Sequence, residues 1–343
     1  MIRIGVIGCG YWGPNLVRCF LEAEDSSVEQ VCDLRPDRLA SICKRYPFLQ
    51  VTQNADDLLC NSRVDAVVIA TPVSSHYDLV MKALRAGKHV LVEKPMTTSA
   101  ESSLRLIEEA ARRELVLMLD HTFVYTGAVR KIHELIAQGQ LGQLYYYDAV
   151  RVNLGLIQQD VDVIWDLAVH DISIMDRVLG LRPLAVSATG VSHVPGGQEN
   201  IAYLSIFCEN NLIAHVHVNW LAPVKVRRTM IGGSRQMIVY DDVEPSEKVK
   251  VYDKGIAVND GPEGVVQMMI NYRAGNVWIP HLDTSEALKV EAAEFIASIQ
   301  HGRVPLTDGW AGLRTVQILE MATRSMKEKG RLIEFKSMDG AAV

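Results

Sequence analysis

The first fifteen residues impose the strongest constraint on what this chain can fold into. They read MIRIGVIGCGYWGPN, an apolar and β-branched run followed by the glycine-rich stretch 8–13 and then by a helical pattern. A G-x-G-x-x-G sequence between a strand and a helix is the fingerprint of a dinucleotide-binding βαβ unit. In that unit Gly8 makes the tight turn, Gly10 lets the backbone approach a pyrophosphate, and Gly13 lets the helix pack closely on the strand.

An acidic residue completes the fingerprint about twenty positions further on, where it binds the adenosine ribose. Val28–Cys32 has the composition of a second strand, and Asp33 stands at its end. A carboxylate at this point repels the 2′-phosphate of NADP, so the sequence predicts NAD as the cofactor and makes NADP the less favoured one. Arg35 and Arg38 lie nearby in the sequence and could soften that preference.

Composition limits the class of protein further. With 343 residues, of which 48% are hydrophobic, the chain can fill the cores of two domains. A formal net charge of −6 argues against nucleic acid or an anionic membrane as partner. The six cysteines form no C-x-x-C pair, so we expect reduced thiols and no metal site. The first predicted strand begins at Ile2, which leaves no room for a signal peptide, and no apolar run has the length of a membrane span; we therefore expect a cytoplasmic protein.

The strand and helix patterns change near residue 120. Before it, short apolar strands alternate with helices, and the continuous apolar run 66–70 is typical of a central parallel strand. After it, short strands joined by turn residues predict a mostly antiparallel sheet, and amphipathic helices at 285–301 and 311–329 finish the chain. The sequence thus predicts an α/β protein: residues 1–120 form a Rossmann domain with a doubly wound parallel sheet, and residues 121–343 form an α+β domain.

Glu93-Lys94-Pro95 directly follows the fifth predicted strand. Ligands of such sheets bind beyond the carboxyl ends of the strands, so a lysine there would lie beside the nicotinamide end of the cofactor. Its ammonium could hold a substrate hydroxyl and favour the alkoxide that develops as a hydride leaves. Position alone supports a solvated surface lysine equally well.

A third candidate lies on a helix predicted from about Val163 to Leu179. Asp166 and His170 are four residues apart and would share a face of that helix. His170 could serve as a general acid or base, and Asp166 could orient its ring, bind the substrate, or do both. Taken alone, the pattern fits an ordinary amphipathic helix with a polar stripe toward water better.

Together these features resemble one known family. They are the fingerprint at 8–13, Asp33, Ala70-Thr71-Pro72, Glu93-Lys94-Pro95 and the Asp166/His170 pair, in that order. Over essentially its whole length the chain is similar to the Gfo/Idh/MocA family of NAD(P)-dependent dehydrogenases. The resemblance implies that Lys94, Asp166 and His170 form the catalytic set, with His170 taking the hydroxyl proton and the nicotinamide C4 taking the hydride. It also implies that the second domain is a large, open-faced sheet, buried in a homodimer or homotetramer.

The predicted site residues form two overlapping sets. The cofactor-binding set is Gly8, Gly10, Tyr11, Trp12, Gly13, Asp33, Thr71, Pro72, His76, Glu93 and Lys94. The substrate-binding set is Lys94, His121, Arg151, Asn153, Asp166 and His170. We expect Tyr11 and Trp12 to pack against the cofactor or neighbouring loops. His76 could equally be a solvated histidine at a helix start, and His121 could equally have a capping role.

The favoured function is an NAD-dependent dehydrogenase or ketoreductase. It would act on a secondary hydroxyl of a sugar, a cyclitol or a nucleotide-linked sugar. A weaker similarity to family members, around residues 151–165, favours the nucleotide-linked sugar, with oxidation at C3. One alternative is a glycosidase that uses NAD transiently and needs an extra base, for which His121, Tyr125 and Asp160 are candidates. The other is a non-enzymatic NAD-binding sensor, although an intact Lys94, Asp166 and His170 set argues against it.

Overall fold

The computed structural model describes residues 1–155, 161–253 and 275–335. They divide into two compact units. The first comprises Met1–Thr126 and Thr284–Glu320, and the second comprises Gly127–Asp283 and Met321–Val343, as far as these are described. In the described part of the chain, none of the helices combines the length and the hydropathy that crossing a membrane requires.

The first unit contains a six-stranded parallel sheet with the strand order β3-β2-β1-β4-β5-β6. Its strands are β1 (Ile2–Ile7), β2 (Ser26–Cys32), β3 (Gln50–Thr52), β4 (Ala66–Ile69), β5 (His89–Glu93) and β6 (Leu117–Asp120). The helices between them are α1 (Gly13–Glu22), α2 (Pro36–Arg45), α3 (Ala55–Leu59), α4 (His76–Arg85) and α5 (Ala100–Arg112). The order reverses direction between β1 and β4, and ligands of doubly wound sheets bind at such a switch point. The predicted Rossmann sheet is confirmed.

The second unit contains a nine-stranded sheet, ordered β14-β13-β12-β11-β7-β10-β9-β8-β15. Its strands before residue 280 are β7 (Leu144–Leu154), β8 (Pro183–Val191), β9 (Ile201–Cys208), β10 (Ile213–Asn219), β11 (Leu221–Gly233), β12 (Met237–Asp241), β13 (Val249–Tyr252) and β14 (Val277–Trp278). Helices α6 (Gly127–Ala137) and α7 (Val169–Leu179) accompany them. All pairs of neighbouring strands are antiparallel except β7 and β10. The mostly antiparallel second sheet, and with it the predicted fold class, is confirmed.

The last described elements are α8 (Ala287–His301), α9 (Gly309–Lys327) and β15 (Ile333–Glu334). Helix α8 belongs to the core of the first unit, where Phe295 packs edge-on against Phe20 of α1 at a centroid distance of 6.1 Å. Residues 284–320, which the sequence placed in the second domain, therefore return to the first unit. An amphipathic pattern predicts that a helix buries one face, but it does not say against which core.

Candidate active site

The three fingerprint glycines have different surroundings. Gly8 has a φ of +101°, and a Cβ there would lie 2.3 Å from the Ala70 carbonyl oxygen. A Cβ on Gly13 would lie 2.0 Å from the carbonyl oxygen of Gly8. A Cβ on Gly10 would meet only Nη1 of Arg38, at 3.8 Å. Gly8 and Gly13 are thus required by close backbone contacts, whereas Gly10 keeps an open surface that a ligand can approach.

The N-terminus of α1 offers its amide groups at the same loop. The side chain of Trp12, the residue before the helix, makes no capping hydrogen bond. The first N–H groups of a helix have no partner within it, and the macrodipole favours an anion there. With the open face of Gly10 beside them, these groups suit a pyrophosphate, so the loop fits the dinucleotide that the fingerprint predicts.

Asp33 is buried behind the glycine loop. Its Oδ2 accepts the Cys9 N–H at 2.6 Å and its Oδ1 accepts the Arg35 N–H at 2.8 Å, while Nη1 of Arg38 lies 3.4 Å from Oδ2. The carboxylate therefore ties the loop to the end of β2. Arg38 contacts this carboxylate and also borders Gly10, which places a basic side chain beside the predicted ribose site.

Tyr11 and Trp12 lie in the middle of the loop, with exposed fractions of 85% and 43%. Their rings contact each other edge-to-face at 5.4 Å. Tyr11 is thus almost fully exposed, whereas more than half of the Trp12 surface is covered by the protein. Two exposed aromatic surfaces beside the open Gly10 remain available to a bound cofactor.

His76 links the loops that follow β4 and β5. The ring is fully buried, with Nδ1 2.9 Å from the Pro95 carbonyl oxygen and Nε2 2.9 Å from the Thr71 carbonyl oxygen. Burial lowers the pKa of His76, and these two carbonyls partly oppose that effect. Because both ring nitrogens face the backbone, His76 holds together the segments that carry Thr71 and Lys94, and it is not the solvated histidine that the sequence also allowed.

Three buried carboxyl groups meet at the ends of β5 and β6. Glu93 and Asp120 are register partners on these strands, and Glu291 reaches Asp120 from α8. The Thr122 hydroxyl donates to Asp120. Burial, followed by the charge of Asp120, raises the pKa of both Glu93 and Glu291 well above the usual range. Such a shift favours the protonated form of both glutamates, because a buried carboxylate loses its hydration and is repelled by the neighbouring Asp120.

The sequence predicts Glu93 as a site residue but does not predict Glu291. A signal was present, since Glu291 lies on the same helical stripe as the buried Leu288, Ala292 and Phe295. A glutamate on an apolar stripe is seldom fully buried without a partner. The pattern of apolar residues does not identify the partner of Glu291.

His121 follows Asp120 and is 2% exposed. Within the described residues, neither ring nitrogen has a hydrogen-bond partner. Burial, with a smaller contribution from the Lys94 ammonium, lowers the pKa of His121 to about 4. The ring is therefore neutral near pH 7 and has one donor and one acceptor that a ligand can use.

In the second unit, Asp166 lies in a π-helical turn at Ile164–Ala168, and α7 begins only at Val169. The predicted helix from about Val163 to Leu179 is present, but its first turn is π-helical instead of α-helical. The Asp162 carboxylate starts this turn by accepting the N–H groups of Ile164 and Trp165 at 2.9 and 3.1 Å. Single π-helical turns are rare and occur often at functional sites. His170 follows in the first turn of α7, and both it and Asp166 are partly exposed.

Arg151 and Asn153 differ in their surroundings. Arg151 is buried and makes a two-fold hydrogen-bonded ion pair with Asp171, with Nε–Oδ2 and Nη2–Oδ1 distances of 2.8 and 2.9 Å. It joins β7 to α7, so we omit it from the substrate-binding residues proposed below. Asn153, near the end of β7, is partly exposed and stays among them.

The candidate residues fall into two groups, one in each unit. The first unit contains Gly8, Gly10, Tyr11, Trp12, Gly13, Asp33, Thr71, Pro72, His76, Glu93, Lys94 and His121, and the second contains Arg151, Asn153, Asp166 and His170. Of the candidate extra bases, Tyr125 is buried and its hydroxyl lies 3.0 Å from the Thr307 hydroxyl. Asp160 lies outside the described residues.

Comparisons with known proteins agree with this division. The family model described as an oxidoreductase family with an NAD-binding Rossmann fold matches residues 2–121, and the C-terminal domain model of the same family matches residues 129–239. UDP-N-acetylglucosamine 3-dehydrogenase from Acidithiobacillus ferrooxidans is 28% identical over 92% of this chain and 94% of its own length. The solved structure of that enzyme superposes with a TM-score of 0.81, at 26% identity, over 95% of this chain and 98% of its own.

A second relative matches a shorter part of the chain. It is dTDP-3,4-didehydro-2,6-dideoxy-alpha-D-glucose 3-reductase from Actinomadura kijaniata, 34% identical over 43% of this chain and 45% of its own length.

Proposed function

The chain belongs to the Gfo/Idh/MocA oxidoreductase family, and we propose that it is an NAD-dependent dehydrogenase acting on a nucleotide-linked sugar. The hydride would be exchanged between the nicotinamide and a secondary hydroxyl or ketone, at C3 of the sugar. The observation that carries this proposal is the end-to-end similarity to an enzyme named as a 3-dehydrogenase of a UDP-linked sugar. A relative named as a 3-reductase of a dTDP-linked sugar supports the same carbon.

The glycine loop and Asp33 support NAD as the cofactor. The open face of Gly10 and the uncapped N-terminus of α1 would hold the pyrophosphate, and the Asp33 carboxylate would bind the ribose and disfavour a 2′-phosphate. Bound NAD would supply the acceptor for the substrate hydride. We assign Tyr11, Trp12, Thr71, Pro72 and Glu93 to the surroundings of the cofactor.

Three side chains would act on the substrate. The Lys94 ammonium would donate to the reacting oxygen and stabilise the negative charge that develops on it. His170 would take the hydroxyl proton as general base during oxidation and return it during reduction. Asp166 would orient the His170 ring, bind the substrate, or do both. His121, neutral and without a protein partner among the described residues, would give or accept a hydrogen bond with the substrate, as would Asn153.

We also propose that the protein assembles as a homodimer or homotetramer through the nine-stranded sheet. One face of β9 is buried, and the other exposes Tyr203 and Phe207. On the neighbouring strand, His217 stacks on Tyr203 at a centroid distance of 4.4 Å and Ile213 is exposed. Light scattering during size-exclusion chromatography measures the mass directly; a monomer at all concentrations would contradict the assembly.

The test is an NADH absorbance assay with NAD, across free sugars, inositols and UDP- or dTDP-linked sugars. We expect turnover with a nucleotide-linked sugar, its loss in Lys94→Ala with NAD binding retained, and no loss in Lys82→Ala, a control on the exposed face of α4. Release of free sugar without net NADH would indicate a glycosidase that uses NAD transiently. Tight NAD binding with no chemistry on any substrate would indicate a sensor.

A further inference from the structure

A buried tryptophan contacts one of the proposed catalytic carboxylates. Trp220 lies between β10 and β11, is 1% exposed, and donates its indole Nε1–H to Oδ2 of Asp166 at 3.1 Å. The two residues are 54 positions apart in the chain. Trp220 could not be predicted from the sequence, since nothing in its local pattern separates it from an ordinary core tryptophan.

The backbone of Trp220 is held on both sides. Its N–H donates to the Asn200 carbonyl at 2.9 Å, and its carbonyl accepts the Gly155 N–H at 3.0 Å. A Cβ on Gly155 would lie 3.2 Å from Cδ1 of the indole, so the ring packs directly on a glycine. The indole is therefore fixed between the segments next to β7 and β9, and its N–H has a defined direction.

The two groups in this contact have fixed hydrogen-bonding roles. An indole N–H can donate but cannot accept, so it pairs with a carboxylate oxygen and not with a donor. Hydrogen bonds to an ionised group are about twice as strong as neutral ones. Asp166 also lies in a π-helical turn, whose backbone differs from that of the regular helix after it. A rigid donor on the carboxylate restricts the side-chain rotation that this turn would otherwise allow.

We propose that Trp220 is a positioning residue for Asp166, with the indole N–H fixing the orientation of the carboxylate that acts on the substrate. This rests on the proposed function, in which Asp166 is part of the catalytic set.

The same turn provides a matched control. Trp165, next to Asp166 in sequence, donates its indole N–H to the Thr323 hydroxyl at 2.9 Å. Trp165→Phe removes an indole hydrogen bond from this turn without touching Asp166, whereas Trp220→Phe removes the one on its carboxylate. We expect Trp220→Phe to lower kcat by about tenfold or more with NAD affinity unchanged, and Trp165→Phe to lower kcat by less than about threefold.

A double-mutant cycle separates positioning from a general loss of structure. In an Asp166→Asn background, Trp220→Phe should lower the remaining kcat by less than about threefold, because its partner is already changed. Equal effects of the two Trp→Phe variants, or full additivity with Asp166→Asn, would overturn the proposal.

A spectroscopic measurement tests the contact without any activity. The chain has five tryptophans, so a ¹H–¹⁵N spectrum contains five indole signals, which Trp→Phe variants at the other positions assign even if Trp220→Phe does not fold. Asp166→Asn should shift the Trp220 indole signal and leave that of Trp310 unchanged. An unmoved Trp220 signal would refute the contact. Absence of turnover in the wild-type chain, with the Trp220 signal shifted, would instead count against the proposed function alone.

Discussion

Replacing Glu291 by glutamine should change how the stability of the chain depends on pH. Glu291 is fully buried, and burial, followed by the charge of Asp120, raises its pKa well above the usual range. In the unfolded chain a glutamate titrates near about pH 4.3. Above that pH the folded chain therefore retains a proton that the unfolded chain has lost.

The sign and size of the effect follow from linkage. A carboxyl group whose pKa is raised by folding contributes stability that is complete below its unfolded pKa and is lost as pH rises toward its folded pKa. For each retained proton, the free energy of unfolding falls by about 1.4 kcal/mol per pH unit in that window. Glutamine has nearly the same shape as glutamic acid, and its amide stays uncharged throughout this pH range. Glu291→Gln should thus gain about 1.4 kcal/mol relative to wild type between about pH 5 and pH 6.

The assay is chemical denaturation followed by circular dichroism at several pH values, without cofactor. Glu93 is present in both wild type and Glu291→Gln, so its contribution to the pH dependence of the free energy of unfolding cancels to first order. Glu294→Gln is the control, because Glu294 lies on the same helix but pairs with Arg303 at 2.7 Å, and its difference from wild type should stay constant over this range. Parallel stability curves for wild type and Glu291→Gln would refute the reasoning, since they would show that Glu291 carries no additional proton in the folded chain.

Three further substitutions test other contacts. Gly13→Ala should lower the free energy of unfolding by about 1–3 kcal/mol, measured by chemical denaturation, because its Cβ would lie 2.0 Å from a backbone oxygen. His76→Asn keeps a hydrogen-bond donor near the Nδ1 position, which faces the loop of Lys94, whereas His76→Gln keeps one near the Nε2 position, which faces Thr71. Because Lys94 is a proposed catalytic residue, we expect the asparagine variant to retain the higher kcat. Arg151→Met should cost about 3–5 kcal/mol in the same denaturation assay, because it leaves the buried Asp171 carboxylate without its cation, and adding Asp171→Leu should restore part of the loss.

The cofactor edge of the first unit could be predicted in detail because its constraints are local. Gly8 and Gly13 are required by contacts within a single strand–turn–helix segment, where a Cβ would meet backbone oxygen atoms. The position of Asp33 follows from the length of one helix and one strand. In such a segment the spacing of the residues determines the geometry, so the sequence contains the information directly.

Contacts between distant segments could not be predicted in this way. Arg151 at the end of a strand near a catalytic helix looked like a substrate ligand, but Asp171 neutralises it within the core. Trp220 and Asp166 are brought together by the packing of β10 against a turn that precedes α7. Residue type and periodicity predict which side chains are buried, whereas the partner of each buried polar group depends on the register of elements far apart in the chain.

The carboxyl groups at the ends of β5 and β6 show why a count of formal charges misleads here. That count treats Glu93 and Glu291 as anions, as they would be in water, and it places an anion next to Lys94 in the Glu-Lys-Pro motif. In the folded chain, burial and the neighbouring Asp120 raise the pKa of Glu93 and of Glu291 well above the usual range, which favours their protonated forms. It follows that unfolding releases protons from the motif glutamate as well as from Glu291.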